Sequence, residues 1–220
     1  MWGILMYYDI AELLSLTQKP KINDISLKLL STYYEDVLSP YGFIYEISDT
    51  NNSNSSSVVN LRFDIDKFCH LIGVESVAKS GSVARKSLHN YRGLDGWQNI
   101  KNDVIDIQHL KQLNKKKFNS IKAKCVYFYL LKSLVENPLA VRYNKNDSIL
   151  PTNIDCELLF YSSVKNDNAI IHLGIEKGNK GYYFPKTFFV EKVSEKEKDD
   201  YLKGQKDVKV RLVKKEKIST

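Results

Sequence analysis

The chain has 220 residues, 43% of them hydrophobic and 27% charged, which allows a sizeable core in one or two domains and excludes a disordered or fibrous chain. Its three cysteines, Cys69, Cys125 and Cys156, are odd in number, far apart and set among apolar residues; that argues against a disulfide scaffold or zinc site and for small buried hydrophobes. The formal net charge of +7 favours an acidic partner, whether nucleic acid, anionic membrane surface or acidic protein, although solubility alone can account for it.

Ile4 to Leu16 has apolar residues at helical spacing, with a stop near Pro20 because the residue before proline leaves the α region. A second helix is expected from about Asp24 to Leu38, with Ile25, Leu29, Tyr33 and Val37 as its stripe, widened by Leu30 and Tyr34. After the turn Ser39-Pro40-Tyr41-Gly42, Phe43 to Ile47 reads as a strand. Asp49 to Ser57 is Asn/Ser-rich and reads as a mobile loop, and Val58 to Phe63 as the returning strand of a hairpin.

The hairpin runs into a short helix for which Asp64 or Asp66 is the expected N-cap. On that helix Phe68, Leu71 and Ile72 fall on one side and His70 on the other. His70 therefore points to solvent or into a cleft, not into the core. Glu75 to Gly81 reads as a connection. Ser82 to Tyr91 reads as a helix made basic by Arg85, Lys86, His89 and Arg92, interrupted by Gly93 and Gly96. Ile107 to Phe118 reads as helical and ends in Lys115-Lys116-Lys117, a solvated face or a phosphate contact.

Asn119 to Val135 carries the clearest helical pattern, with Asn119 or Ser120 as cap and apolar residues around almost the whole circumference. Against that background Lys124 must snorkel out, pair with an acid or reach a polar cleft. Beyond Pro138, Val141-Arg142-Tyr143 reads as a short strand. Cys156 to Ser163, Ala169 to Glu176 and Tyr182 to Val190 read as strands joined by short turns, hence an antiparallel meander. Ser194 to Tyr201 is weakly helical. Val208 to Val213 alternates as a half-buried strand at an edge, and Lys214 to Thr220 is expected to be a disordered basic tail. Helices first and strands last give an α+β class.

No phosphate-binding glycine loop, HExxH, nucleophile elbow or paired-carboxylate motif is present. The nearest metal ligands are Asp64 and Asp66, better explained as capping acids, and no cofactor is expected. A metal-free ribonuclease asks for less. RNA brings its own nucleophile, the 2′-hydroxyl, and the protein needs a base, an acid and donors for the phosphorane charge. His70, Lys124 and Thr187 are the candidates, with Arg85, Lys86, Arg92 and Lys186 as candidate nucleic-acid contacts. In an unbulged strand Thr187 and Lys186 point to opposite faces, so only one of them serves a cleft; a bulge at Pro185 would change that parity. His172 reads as structural.

Tyr45–Ile47, Leu61–Gly73 with its F-x-x-x-x-F-x-H-L-x-G pattern, and Tyr183–Phe189 together resemble the phage-type nuclease family grouped with barnase, EndoU, colicins and RelE. The resemblance runs from about Ile25 to about Lys214. It implies an α+β domain over 25–214, with helices and a hairpin followed by a C-terminal antiparallel sheet. An N-terminal helical extension over 1–24 and a basic tail over 215–220 flank it. It further implies that a histidine on the helix after the hairpin, a basic residue on the long helix and a Ser/Thr on a late strand face one cleft. His70, Lys124 and Thr187 match these positions, with Lys122 close by. The implied activity is that of a metal-independent, toxin-like endoribonuclease, phage or prophage encoded. The rival reading is an inactive member of the fold that binds RNA or an acidic host protein as a counter-defence factor. No membrane association is expected. Met1–Met6 lacks a basic flank and precedes Asp9 and Glu12, so no secretory leader is expected and the bacterial host cytoplasm is the expected setting.

Overall fold

The computed structural model describes residues 8–50, 52–149, 152–193 and 200–218. The chain divides into two compact units, one of residues 1–39 and 64–130 and one of residues 40–63 and 131–220. Residues 4–7 of the helix expected over 4–16, and residues 194–199 of the segment 194–201, lie outside the described residues.

The first unit is helical. α1, Ile10–Ser15, opens on a capping box in which Asp9 accepts from the Glu12 backbone and Glu12 from that of Asp9. α2, Leu27–Tyr33, is capped by Ser26 and continues into a single wider turn, Tyr34–Leu38, closed by Ser39 N–H donating to the Tyr34 carbonyl. Leu38 is buried where the expected stripe assigns Val37, and the buried apolar and aromatic set is Leu27, Leu30, Tyr33, Tyr34 and Leu38. Each such side chain contributes about 1.5–3 kcal/mol of burial. Tyr33 and Tyr34 are buried to their hydroxyls, which donate to the Tyr129 and Asp64 carbonyls at 2.9 and 3.0 Å. Phe68 packs edge-on against Trp97 and Phe128 at 5.5 and 5.6 Å between ring centroids.

α3, Phe68–Ile72, follows a 3-10 turn over Ile65–Lys67, and neither expected acid caps it: the N-cap of the turn is Asp64, with no side-chain capping bond, and Asp66 pairs with Lys67 at 3.0 Å. Val74–Ser80, expected as a connection, is α4. The basic segment is a 3-10 helix, Arg85–Tyr91. Gly93 and Gly96 do not interrupt a helix but belong to α5, Gly93–Lys101. At Gly96 an added Cβ would lie 2.6 Å from the Tyr91 carbonyl carbon, so this glycine lets backbone approach backbone. α6, Ile107–Tyr127, kinks at Asn114, which leaves helical geometry and caps the restart by accepting from Lys117 N–H at 2.9 Å. The cap of the long helix is thus Asn114, not Asn119 or Ser120, and Lys115–Lys117 form its first turn.

The second unit is a closed barrel of seven strands: β1 (Tyr41–Asp49), β2 (Asn52–Arg62), β3 (Leu139–Arg142), β4 (Leu158–Val164), β5 (Ala169–Lys177), β6 (Tyr183–Lys192) and β7 (Lys206–Lys217), ordered β1-β2-β6-β5-β4-β3-β7. The meander β4-β5-β6 is antiparallel as expected. The sheet as a whole is not an open antiparallel one. β7 pairs with both β1 and β3, and β2 meets β6 through one parallel bridge, Leu61 to Tyr183. β7 is therefore no edge, and it extends to Lys217 where a basic tail was expected. Closure pairs the edges a strand pattern leaves open. The Asn/Ser segment expected as a loop is the start of β2, paired with β1 at Ile47–Ser57 and Ser48–Ser56.

Phe43, Tyr45, Val59, Leu61, Phe160, Leu173, Ile175 and Phe188 are buried in this unit. Tyr45 meets Phe160 edge-on at 5.2 Å and donates its hydroxyl to the Val135 carbonyl of α7, Leu131–Glu136, at 2.6 Å. β5 is buried along almost its full length, on both faces.

Candidate active site

α3 is only five residues long, and four of them, Phe68, Cys69, Leu71 and Ile72, are fully buried. The remaining residue is His70, whose side chain is 60% exposed, as the helical wheel requires. The helix ends at Gly73, which has φ +90°, and an added Cβ there would lie 2.8 Å from Ile121 of α6. Only glycine meets both demands. The left-handed turn starts α4 at once and sets Glu75 beside His70, with Glu75 Oε2 3.6 Å from His70 Nδ1.

Glu75 is the hub of a charged group. Its other oxygen takes Lys79 Nζ at 2.8 Å and Arg92 Nη1 at 3.8 Å. Burial works against its charge, but the Lys79 bond, followed by His70, outweighs it and holds the carboxyl below the ordinary glutamate value. Two sequence candidates, His70 and Arg92, thus meet around a carboxylate. Sequence reading missed Glu75 and Lys79 because it took their helix for a connection; their i,i+4 spacing was the available signal.

Lys124 lies in the same helical unit. Its stem is half-buried on α6, and Nζ reaches the Leu71 carbonyl at 3.5 Å, at the C-terminal end of α3. The sequence leaves it to snorkel out, pair with an acid or reach a polar cleft; the contact observed is instead with a backbone acceptor, one residue after His70 in the chain. Burial lowers its pKa to about 8. A lysine so tuned is a cation at neutral pH that can still give up its proton.

A family model described as phage-Barnase-EndoU-ColicinE5/D-RelE like nuclease4 matches residues 28–220. The chain belongs to this nuclease family. No curated protein and no solved structure matches it. The match includes His70, Glu75, Lys124 and Thr187, so every residue discussed as a candidate lies inside the nuclease module.

Arg85 and Lys86 are exposed on the 3-10 helix, as is Arg92 at its end. In the barrel unit Thr187 pairs with Gly174 across β5–β6, and its Cγ2 would lie 2.8 Å from a Cβ at Gly174, beside the Cys156 sulfur. The register slips next to it: Gly174 faces Thr187 but Ile175 faces Pro185, so Lys186 is the extra residue of a bulge. Lys186 joins Glu176 and, at 3.3 Å, Asp155. Glu176 is on the Gly174 face of β5, so the bulge turns Lys186 and Thr187 to one side. The proline-linked bulge thus changes the parity that unbroken alternation assigns.

His172 is fully buried, stacked on Phe189 at 4.5 Å and 3.1 Å from Glu191. The cysteines are all free and buried, and burial pushes each thiol up to about 12, which makes them inert. Among the described residues no three His, Cys, Asp or Glu side chains are grouped so as to hold a metal ion, and no helix is long and apolar enough to cross a membrane.

Proposed function

We propose that this member of the nuclease family is a metal-independent endoribonuclease of phage or prophage origin, acting in the host cytoplasm on RNA through its 2′-hydroxyl. The 2′-oxygen attacks the adjacent phosphorus as its proton passes to a base. The phosphorane then collapses as the 5′-oxygen leaves with a proton, giving a 2′,3′-cyclic phosphate and a free 5′-hydroxyl. His70 acts as the base or the acid in this exchange. Lys124 supplies positive charge to the phosphorane. Thr187 donates a hydrogen bond to the RNA, and Arg85, Lys86, Arg92 and Lys186 contribute to the electrostatic footprint.

The observation that carries this reading is His70, held in the open by a helix whose other four residues are buried, with Glu75, Lys79 and Arg92 beside it. The chemistry asks for a proton-transfer group and cations, and these are the residue types present. The test is cleavage of defined RNAs with and without EDTA. The expected products carry 2′,3′-cyclic phosphate ends and the rate is the same in chelator. DNA, and RNA methylated at the attacking 2′-oxygen, stay intact. Cutting of DNA at a comparable rate would overturn the mechanism. A folded protein that binds RNA and cuts none would assign the chain to the binding role instead.

A further inference from the structure

We infer that Glu75 is the positioning residue of His70: its carboxylate takes the Nδ1–H of the imidazole and leaves Nε2 as the nitrogen presented to substrate. Three features carry this. Positions 70 and 75 would lie about 140° apart around a continuous helix, and the left-handed turn at Gly73 is what places them side by side. The two carboxylate oxygens divide their partners, Oε1 facing Lys79 and Arg92 and Oε2 facing His70. The burial is lopsided, 14% exposure for the Glu75 side chain against 60% for His70. Glu75 is therefore the fixed wall and His70 the group that meets solvent.

At 3.6 Å the pair is within reach of a hydrogen bond after a small rotation of the exposed ring. A carboxylate accepts only, so contact with it selects the tautomer protonated at Nδ1. Nε2 then carries the lone pair that can take a proton from a 2′-hydroxyl. The contribution to rate rests on the ribonuclease reading; the tautomer does not.

The experiment uses the full chain, 15N-labelled, with the His70 ring nitrogens read by NMR at pH about 9. Expected for the native protein is a majority of the Nδ1–H tautomer. Glu75→Gln offers an amide donor to Nδ1 and should move the majority to Nε2–H, whereas Lys79→Gln should leave the tautomer in place. In RNA cleavage Glu75→Gln should lower kcat about tenfold with KM within about twofold. A native Nε2–H majority, or a Glu75→Gln protein whose whole loss is in KM, would overturn the inference and leave Glu75 as a tie for Lys79 and Arg92. If the native protein cuts no RNA, the ribonuclease reading fails while the tautomer still decides the positioning role.

Discussion

In the helical unit an exposed histidine, His70, stands beside a largely buried glutamate; in the barrel unit His172 is itself fully buried, beside Glu191 at 10% exposure. The residue pair is the same and the outcome opposite. His172 packs on Phe189, stacked at 4.5 Å, and on Tyr201, edge-on at 5.9 Å, and Glu191 is also tied to the backbone of Asp200. Burial is the first influence on its pKa and lowers it, against the opposing pull of Glu191. That ring is cemented into a sheet face and can exchange protons only at a cost in stability. His70 faces solvent because its short helix spends its apolar residues on the other side. Proximity of a histidine to a carboxylate does not separate the two cases; the side from which water has access does.

The largest effect expected from this contrast is on rate. His70→Ala should lower RNA cleavage by about a hundredfold to ten-thousandfold with an unchanged thermal midpoint, as measured by single-turnover cleavage and a melt on the same sample. Full activity in that variant would erase the distinction between the two histidines.

His172→Ala should do the converse. Loss of a buried stacked ring should cost about 2–4 kcal/mol in denaturant unfolding, with kcat of the folded protein retained. The same ring predicts a pH response of definite sign. Its folded pKa lies below the unfolded 6.5, so the unfolded state takes up the proton first. Its contribution to stability is therefore full above 6.5 and falls as pH drops from 6.5 toward the folded value. His172→Phe should flatten that slope.

Lys124 sharpens the contrast within the helical unit. Its pKa is near 8 when folded against 10.5 unfolded. Between those values the unfolded chain holds a proton the native chain has lost, so stability climbs as pH rises from 8 to 10.5. Lys124→Met should abolish that climb and raise stability at neutral pH by about 1–2 kcal/mol, while lowering the rate of cleavage. A residue whose removal stabilises the fold and weakens the reaction is one retained for function. A flat pH profile in the native protein would return Lys124 to ordinary snorkelling.

The smallest effect belongs to the exposed cations. Arg85→Ala and Lys86→Ala should each weaken RNA binding only slightly and reduce its salt dependence by about one phosphate contact or less, read from binding isotherms at several salt concentrations. No change in the salt slope would remove them from the RNA-binding surface.

What the sequence determined by itself is whatever depends on near neighbours along the chain. Phe68, Leu71 and Ile72 on one side of a helix force His70 to the other. The turn sequences over 165–168 and 178–181 dictate the meander β4-β5-β6, and short apolar motifs reveal the nuclease family. Tertiary structure decided what depends on residues distant in sequence. A strand pattern cannot say which edges meet, so barrel closure and the double pairing of β7 were hidden, as was pairing of the polar start of β2. Gly73 reads locally as a helix stop, and its packing against Ile121 emerges only when α6 arrives. Proximity of Lys124 to the Leu71 carbonyl spans 53 residues. Burial of Glu75 among His70, Lys79 and Arg92 has the same origin: charge and spacing are written in the sequence, but exclusion of water is a property of the packed chain.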